Sequence, residues 1–483
     1  MFRWMLICAF VALGGWGGLA TAAATEDASP LAQLGSVQGD TLYVVRDKVI
    51  AAALAHNEML AASGAMRDAA EADALGAWRG FLPQVHLGEF YMRSDDALSS
   101  FGFKLQNRGV TPLDFGIAPT GFISENINQP GETNNYITRI QLLQPIFNGG
   151  MGIHGKKAAN AASRAAGLKH QRAEETIRFQ AIQAFEGLKL AKAYEGVMLA
   201  AVASAEGHVR QAQSLVDNEM ATEADLLQAK VFLSGLKQRL IEVRNMMAIA
   251  GENIKLLTAV QTPLPLRAST EDQGGSRPTR FDLEAGVVAR RSDILARREE
   301  ARAAGNMVGV ATGAVLPHLN LSLQRDWYDL ENLFGTNASS WTLGVYATMG
   351  FGVENLGEIK KAKAHKRAAE HMADFETRQA KVQATQAWLG VQAAHEKVLV
   401  ALDSVTAARE GLRIVTNQYR EGLASMVNLL DTQAAATMAE GHLVQARHDY
   451  LVGLANLEFS GARPLTPDAQ QTTETHIPAP SGQ

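Results

Sequence analysis

Gly150-Met151-Gly152-Ile153-His154-Gly155 spells the glycine fingerprint of a dinucleotide site. It follows a strand-like run and opens a helical one, with Glu174 and Glu175 about twenty residues on, where a ribose-binding acid would stand. Such a site needs a second strand within about thirty residues. Here the helical pattern continues past Ala200, so the glycines read as a bend between strand and helix. The histidines offer no metal chemistry. His365/His371 and His442/His448 are spaced six apart, so neither pair shares a helix face at i, i+4. No nucleophile–base constellation is apparent. The single cysteine is Cys8. The sequence therefore implies no cofactor, no metal and no catalysis, and the interest moves to the elements that carry these residues.

The first 24 residues, MFRWMLICAFVALGGWGGLATAAA, read as a secretory signal peptide, cleaved near Ala24. Cys8 lies too early for a lipid anchor and follows Ile7. The mature chain is then free of cysteine, which excludes disulfides, thiolate catalysis and cysteine-bound zinc. The formal charge of -5 and pI near 6.2 give no nucleic-acid footprint. Beyond the signal, no apolar stretch is long enough for a spanning helix. A membrane-crossing part must therefore be a closed β-barrel.

The chain repeats itself. Phe81-Leu82-Pro83-Gln84 reappears as Val315-Leu316-Pro317-His318, Lys156-Lys157 as Lys360-Lys361, Asp225-Leu226-Leu227 as Asn428-Leu429-Leu430, and Asn253 as Asn456. The helical parts keep register to about one residue. The first copy carries an insertion of about 30 residues between its strands, which belongs in a loop. The organisation expected is a first repeat at 25–260, a linker at 261–281, a second repeat at 282–462 and a disordered tail at 463–483. Each repeat holds a moderate helix (about 40–78 and 282–308), two strands, and a long helical stretch broken near its middle.

Leu226, Ala229, Leu233, Leu236, Leu240, Val243, Met247, Ala250, Ile254 and Leu257 keep an unbroken 3-4 spacing, the seam of a left-handed coiled coil. The second seam runs Leu429, Thr432, Ala436, Ala439, Leu443, Ala446, Tyr450, Gly453, Leu457 and Ser460; its small residues permit close helix approach. The breaks fall at Asp217-Asn218-Glu219 and Glu421-Gly422. An arm of about 60 residues spans on the order of 90 Å.

Four strands alternate apolar with polar residues. His318–Trp327 sets Leu319, Leu321 and Leu323 against Asn320, Ser322 and Gln324; Trp341–Thr348 and Tyr136–Leu142 behave alike. The strand at 84–92 is weaker, since Glu89 breaks its pattern. Alternation suits a barrel with one lipid-facing side, and equally any half-buried sheet. The export signal and tube-length helices favour the barrel. Four strands cannot close one, so the subunit must oligomerise.

Leu-Leu-Gln-Pro-Ile-Phe-Asn-Gly-Gly at 142–150 and Tyr-Arg-Glu-Gly-Leu-Ala-Ser-Met-Val-Asn-Leu-Leu-Asp at 419–431, within the two-copy layout, resemble the TolC-type outer-membrane efflux proteins over about 40–462. The resemblance implies a mainly α fold with a small β part: a long α-helical coiled-coil barrel, plus four strands per subunit in a trimeric 12-stranded transmembrane β-barrel. It implies a homotrimer that gives passive exit to drugs, metals or proteins, working with a periplasmic adaptor and an inner-membrane pump of the RND or ABC type. It puts Asp225 on the first-copy carboxylate of the periplasmic gate, Asn428 and Asp431 on the second-copy carboxylate positions, and Tyr419 on an aromatic tether. Asn428 has lost the charge, and Ala424 stands where a tethering arginine can occur, which implies a less anionic, more loosely held entrance. Met349-Gly350-Phe351-Gly352 replaces a proline-containing motif of the family. The residues alone leave a second reading of Asp225 and Asp431, as ordinary acids of a helix's first turn. They also leave a rival for the whole chain, a trimeric coiled-coil adhesive protein of the cell surface; two registered copies, each with a strand pair, argue against it.

Overall fold

The computed structural model describes residues 34–122, 124, 128–129, 131–269, 281–282, 288–461 and 463–464. The expected signal peptide, and the tail beyond 464, lie outside them. In chain order come strands β1 (Gly35–Gln38) and β2 (Thr41–Val44), helices α1 (Arg46–His56) and α2 (Glu58–Gly76), strand β3 (Gln84–Ser94) and helix α3 (Ala97–Gln106). The hairpin β4 (Ile117–Ala118) and β5 (Gly121–Phe122) follows, then β6 (Thr133–Asn148), α4 (Met151–Asp217), α5 (Glu223–Thr258), β7 (Leu266–Ala268) and β8 (Phe281–Asp282). The remainder is α6 (Ser292–Gly313), β9 (His318–Asp329), β10 (Ala338–Thr348), α7 (Val353–Arg420), α8 (Met426–Phe459) and β11 (Arg463–Pro464).

Two compact units are formed, each drawing on both halves of the chain. One comprises residues 1–57, 180–274 and 401–448. Its small sheet has the order β1-β2-β7, with β2 and β7 parallel. Leu42 and Val44 point from β2 into a dry interior. Glu195 of α4 is buried, and its charge is met by Arg244 at 3.1 Å and Arg267 at 2.9 Å. α5 buries Leu226, Ala229, Leu236, Leu240, Met247 and Ile254 as the heptads predict, but Gly251 and Thr258 take the places expected for Ala250 and Leu257. The step from Met247 to Gly251 shifts the seam toward the 3.6-residue period of a straight helix.

The other unit comprises residues 58–179, 275–400 and 449–483. Its sheet is antiparallel, order β10-β9-β6-β3, with a bulge at Pro145/Phe147 where proline withdraws a donor. Arg164–Glu299, Lys169–Glu300 and Arg297–Glu376 ion pairs connect α4, α6 and α7. The Phe179 and Phe459 rings stack at 4.9 Å, and the Arg172 guanidinium caps Phe459 at 3.7 Å.

Several expected boundaries change. The helix expected at 40–78 begins only at Arg46, because Thr41–Val44 is β-branched and aromatic and pairs on both sides. It also breaks at Asn57, whose Nδ2 donates to the Leu257 carbonyl at 3.1 Å. Of the helix expected from 282, residues 283–287 lie outside the described residues, Val288 is helical, and after a turn at 289–290 α6 runs Ser292–Gly313. The expected linker 261–281 contains β7, and the expected tail begins with β11 paired to β8. The insertion loop holds α3 and a capped turn at Pro112–Phe115, where Lys104 meets Asp114 at 2.6 Å; that bond and those from Thr111 hold the Asp114 carboxyl down at about 2.

The glycines of the cofactor-like motif do turn the chain. Gly149 and Gly150 both take positive φ between β6 and α4. A Cβ on Gly149 would stand 2.2 Å from the Gly313 carbonyl oxygen. Gly149→Ala therefore meets left-handed strain and a backbone clash together, a loss on the order of 1–3 kcal/mol. Gly155→Ala, inside α4 with open space around it, should stabilise by about 0.5–1 kcal/mol. Thermal unfolding of the two variants, purified from membranes, checks both statements.

Candidate functional site: an inverted sheet and two helical breaks

Cross-strand partners point to the same side of a sheet. One face of β3-β6-β9-β10 therefore collects Val85, Leu87, Ile140, Leu142, Leu321, Leu323, Leu343 and Val345. Toward the loop end the same face carries Tyr91, Tyr136, Trp327 and Trp341. This apolar face is the exposed one: Leu87 is 74% accessible, Val345 64% and Trp341 67%. The opposite face is mainly polar apart from the row Phe90, Ile137, Tyr328 and Ala338, and its Ser322, Asp326 and Tyr328 are buried. There Arg139 Nε and Nη2 grip Asp326 at 2.8 and 3.2 Å, Gln324 Nε2 donates to Asp326 at 2.6 Å, and Gln141 Nε2 donates to Ser322 at 3.0 Å. A water-soluble sheet hides its apolar side. This one does the reverse, and it adds an aromatic row at one rim, as lipid requires. Glu89, the misfit of the pattern, lies on the apolar face but accepts from Thr138 Oγ1 at 2.6 Å and the Phe334 N–H at 3.1 Å.

The helical breaks share one construction. Between α4 and α5, Met220 N–H donates to the Leu215 carbonyl at 2.8 Å, Glu219 N–H donates to Val216, and Glu219 has φ 59. Between α7 and α8, Leu423 N–H donates to Gln418 at 2.8 Å, Gly422 N–H donates to Tyr419, and Gly422 has φ 72. Both are Schellman closures, with the left-handed residue at equivalent places.

The profile of the family described as "Outer membrane efflux protein" matches residues 49–260 and 287–460. The chain belongs to the outer membrane efflux protein family. It is an outer-membrane channel component of an export system, placed in the outer membrane and facing the periplasm. Channels of this family are passive conduits, not enzymes, and membership implies the partners typical of tripartite systems. The outer membrane efflux protein BepC of Brucella suis is 24% identical over 369 residues, 73% of this chain and 79% of that protein. The Campylobacter jejuni CmeC outer membrane channel superposes with a TM-score of 0.74 at 17% identity, covering 86% of this chain and 85% of that one. VceC of Vibrio cholerae gives 0.71 at 18%, covering 86% and 96%. These structures share the fold, mostly long helices with a minor β component.

All four residues that the family resemblance singled out lie at the breaks. Asp225 sits in the first turn of α5 and closes a capping box: its Oδ2 accepts from Thr222 Oγ1 at 2.8 Å and Thr222 N–H at 3.2 Å, while its own N–H donates to Thr222 Oγ1 at 3.3 Å. In the second break Asn428 N–H donates to Ser425 Oγ at 3.3 Å; the reciprocal bond is not formed among the described residues. Three residues beyond these positions stand Gln228 and Asp431, so at these two positions the breaks carry one acid and one amide each, in opposite order. Asp431 and Gln228 line an open groove with Leu227, Val231, Val427 and Leu430. Tyr419 is buried with Ala212, Leu226, Ala229, Met426 and Leu429, and its hydroxyl has no hydrogen-bond partner among the described residues. Burial first, then the Asp225 charge, push its phenol above the ordinary value. Here it is held by packing rather than by its oxygen.

Sequence reasoning missed a polar cluster between α4 and α8. Ser204 Oγ donates to Gln433 Oε1 at 2.6 Å, His208 Nε2 lies 3.3 Å from the same oxygen, and Gln433 Nε2 donates to Thr437 Oγ1 at 3.3 Å. Its signal was present: Gln433 and Thr437 are four apart, on a second buried stripe of α8 beside the predicted seam. Burial lowers the His208 pKa from 6.5, opposed by the Gln433 bond. An unfolded His208 takes a proton that the folded one resists, so this contribution is present above pH 6.5 and is lost as pH falls below it. The thermal midpoint should drop between pH 7.5 and pH 5, and His208→Gln should flatten the drop.

The breaks make two further mutational statements. Tyr419→Phe should be neutral or stabilising, while Tyr419→Ala should cost roughly 3–5 kcal/mol. Glu219→Gly, which relieves a left-handed glutamate, should stabilise by about 1 kcal/mol. Denaturation midpoints of these variants check each.

Proposed function

We propose that three copies of this chain close their sheets into one 12-stranded barrel, and that the two breaks of each copy form the periplasmic gate of the resulting duct. The inverted sheet carries the reading: its apolar face needs lipid, and β3 and β10 each pair on one side only. Unpaired strand edges in hydrocarbon cost several kcal/mol per group, so further copies are the economical remedy. The chain is read as two structural repeats, 25–260 and 282–462, around the linker 261–281.

At the gate, Asp225 and Asp431 are the charged members, with Asn428 and Tyr419 beside them. Rings of carboxylates attract cations and repel one another. Asp225 has part of its lone-pair capacity committed to Thr222, so Asp431 is the freer charge. The apolar groove around Leu227, Val231 and Val427 is a surface for the periplasmic adaptor, which would couple the duct to an inner-membrane pump of the RND or ABC type. Cargo is selected by that pump; drugs, metals and proteins are the classes to test.

The test is single-channel conductance in planar bilayers. Wild-type trimers should open small, cation-favouring pores that multivalent cations block. Asp431→Ala should weaken that block more than Asp225→Ala, and the double variant should raise conductance. A protein that forms no pores sinks the channel reading; pores indifferent to both substitutions sink only the gate.

A further inference from the structure

α7 begins at Val353, directly below the end of β10 at Thr348. One face of its first turns reads Val353, Leu356, Lys360, Lys363, Arg367, in alternating steps of three and four. The two apolar residues are unusually bare, Val353 at 86% and Leu356 at 61%, and Phe351 just before them is 77% accessible. The three cations, with Lys361, Lys366 and the single acid Glu370, border an open groove of ≈ 1070 Å³ between α7 and α6, floored by Gly305, Val308 and Gly309.

The charges around this groove do not cancel. Lys361 is paired with Glu358 at 3.3 Å and Lys366 with Glu370 at 3.7 Å. Lys360, Lys363 and Arg367 make no ion pair with any described residue. From α4, His154 also lines the groove; its Nδ1 is buried without a hydrogen-bond partner. The floor is open because Gly309 has no side chain: a Cβ there would stand 2.3 Å from the His154 ring.

We infer that this groove holds the phosphate of an anionic phospholipid from the periplasmic leaflet of the outer membrane, phosphatidylglycerol or its two-phosphate relative cardiolipin. The order of residues along the face selects the occupant. The inverted sheet places hydrocarbon beside β10. Moving down the helix, Phe351, Val353 and Leu356 come first, and the cations follow roughly 10–20 Å below the start of α7. Apolar then basic is the profile of an acyl chain followed by its headgroup. A free anion would use the cations and ignore the apolar turn. Basic pockets beside membrane segments recognise phosphate headgroups in this way. The inference rests on the outer-membrane placement of the sheet and is independent of the gate.

The test is native mass spectrometry of the detergent-purified full-length protein, titrated separately with phosphatidylglycerol, cardiolipin, phosphatidylethanolamine and inorganic phosphate. Wild type should retain the two anionic lipids on the order of tenfold or more above phosphatidylethanolamine. Lys360→Gln/Lys363→Gln/Arg367→Gln should abolish that preference with the oligomer mass unchanged, and Lys360→Arg/Lys363→Arg should keep it. Val353→Ser/Leu356→Ser should weaken lipid retention. Equal retention of all lipids by wild type overturns the proposal without any variant. So does inorganic phosphate that competes fully and is blind to Val353 and Leu356, which marks a free-anion site. Loss of the oligomer in the triple glutamine variant, with wild type lacking a lipid preference, marks a protein contact instead.

Discussion

The structure turns on the unpaired edges of one sheet. β3 and β10 each leave a row of backbone donors and acceptors without strand partners among the described residues. In water such an edge is a hazard that charge or proline can blunt. In hydrocarbon it is forbidden, because nothing else there accepts a hydrogen bond. The exposed apolar face commits the sheet to hydrocarbon. On the proposed reading, those edges are met by the strands of further copies. The buried polar face follows from the same choice: Arg139, Asp326 and Gln324 satisfy one another on the side turned away from the exposed apolar face.

The helices solve a different problem, that of turning sharply at fixed places. At the strand–helix junction the chain reverses through two left-handed glycines, and Gly149 is pressed against Gly313. At the helical breaks the Schellman closure is used twice, once with glycine and once with a strained glutamate. The swapped order of acid and amide at the two breaks shows that the halves share a backbone solution without sharing charges. Any ring built from several copies therefore carries alternating, unequal chemistry.

Much of the fold was legible because its periods are long. The 3-4 spacing of α5 identified Leu226, Ala229, Leu236, Leu240 and Met247 as buried, while Leu233 and Val243 are half-buried, and alternation identified β9 and β10. Short elements were not legible. Thr41–Val44 has too few residues for a period and becomes a strand only through β7, over two hundred residues away. The seam's slip at Gly251 depends on packing against Leu266, which lies 3.5 Å from where a Gly251 Cβ would be. At the candidate gate the family resemblance supplied the four residues, and their setting was unreadable. Nothing in the string says that Tyr419 keeps its hydroxyl unbonded or that Asp225 spends an oxygen on Thr222.

Sequence alone determined the duplication, the long broken helices, the four alternating strands and the family, because each is a pattern repeated over many residues. It could not decide which side of the sheet faces out. Alternation is symmetric: the same residues describe a soluble sheet and a membrane one. Only the tertiary structure broke that symmetry, by burying Asp326 and Tyr328 and leaving Leu87, Trp341 and Val345 bare. Curvature and the pairing of four distant strands set that direction, and neither is written in the local order of residues.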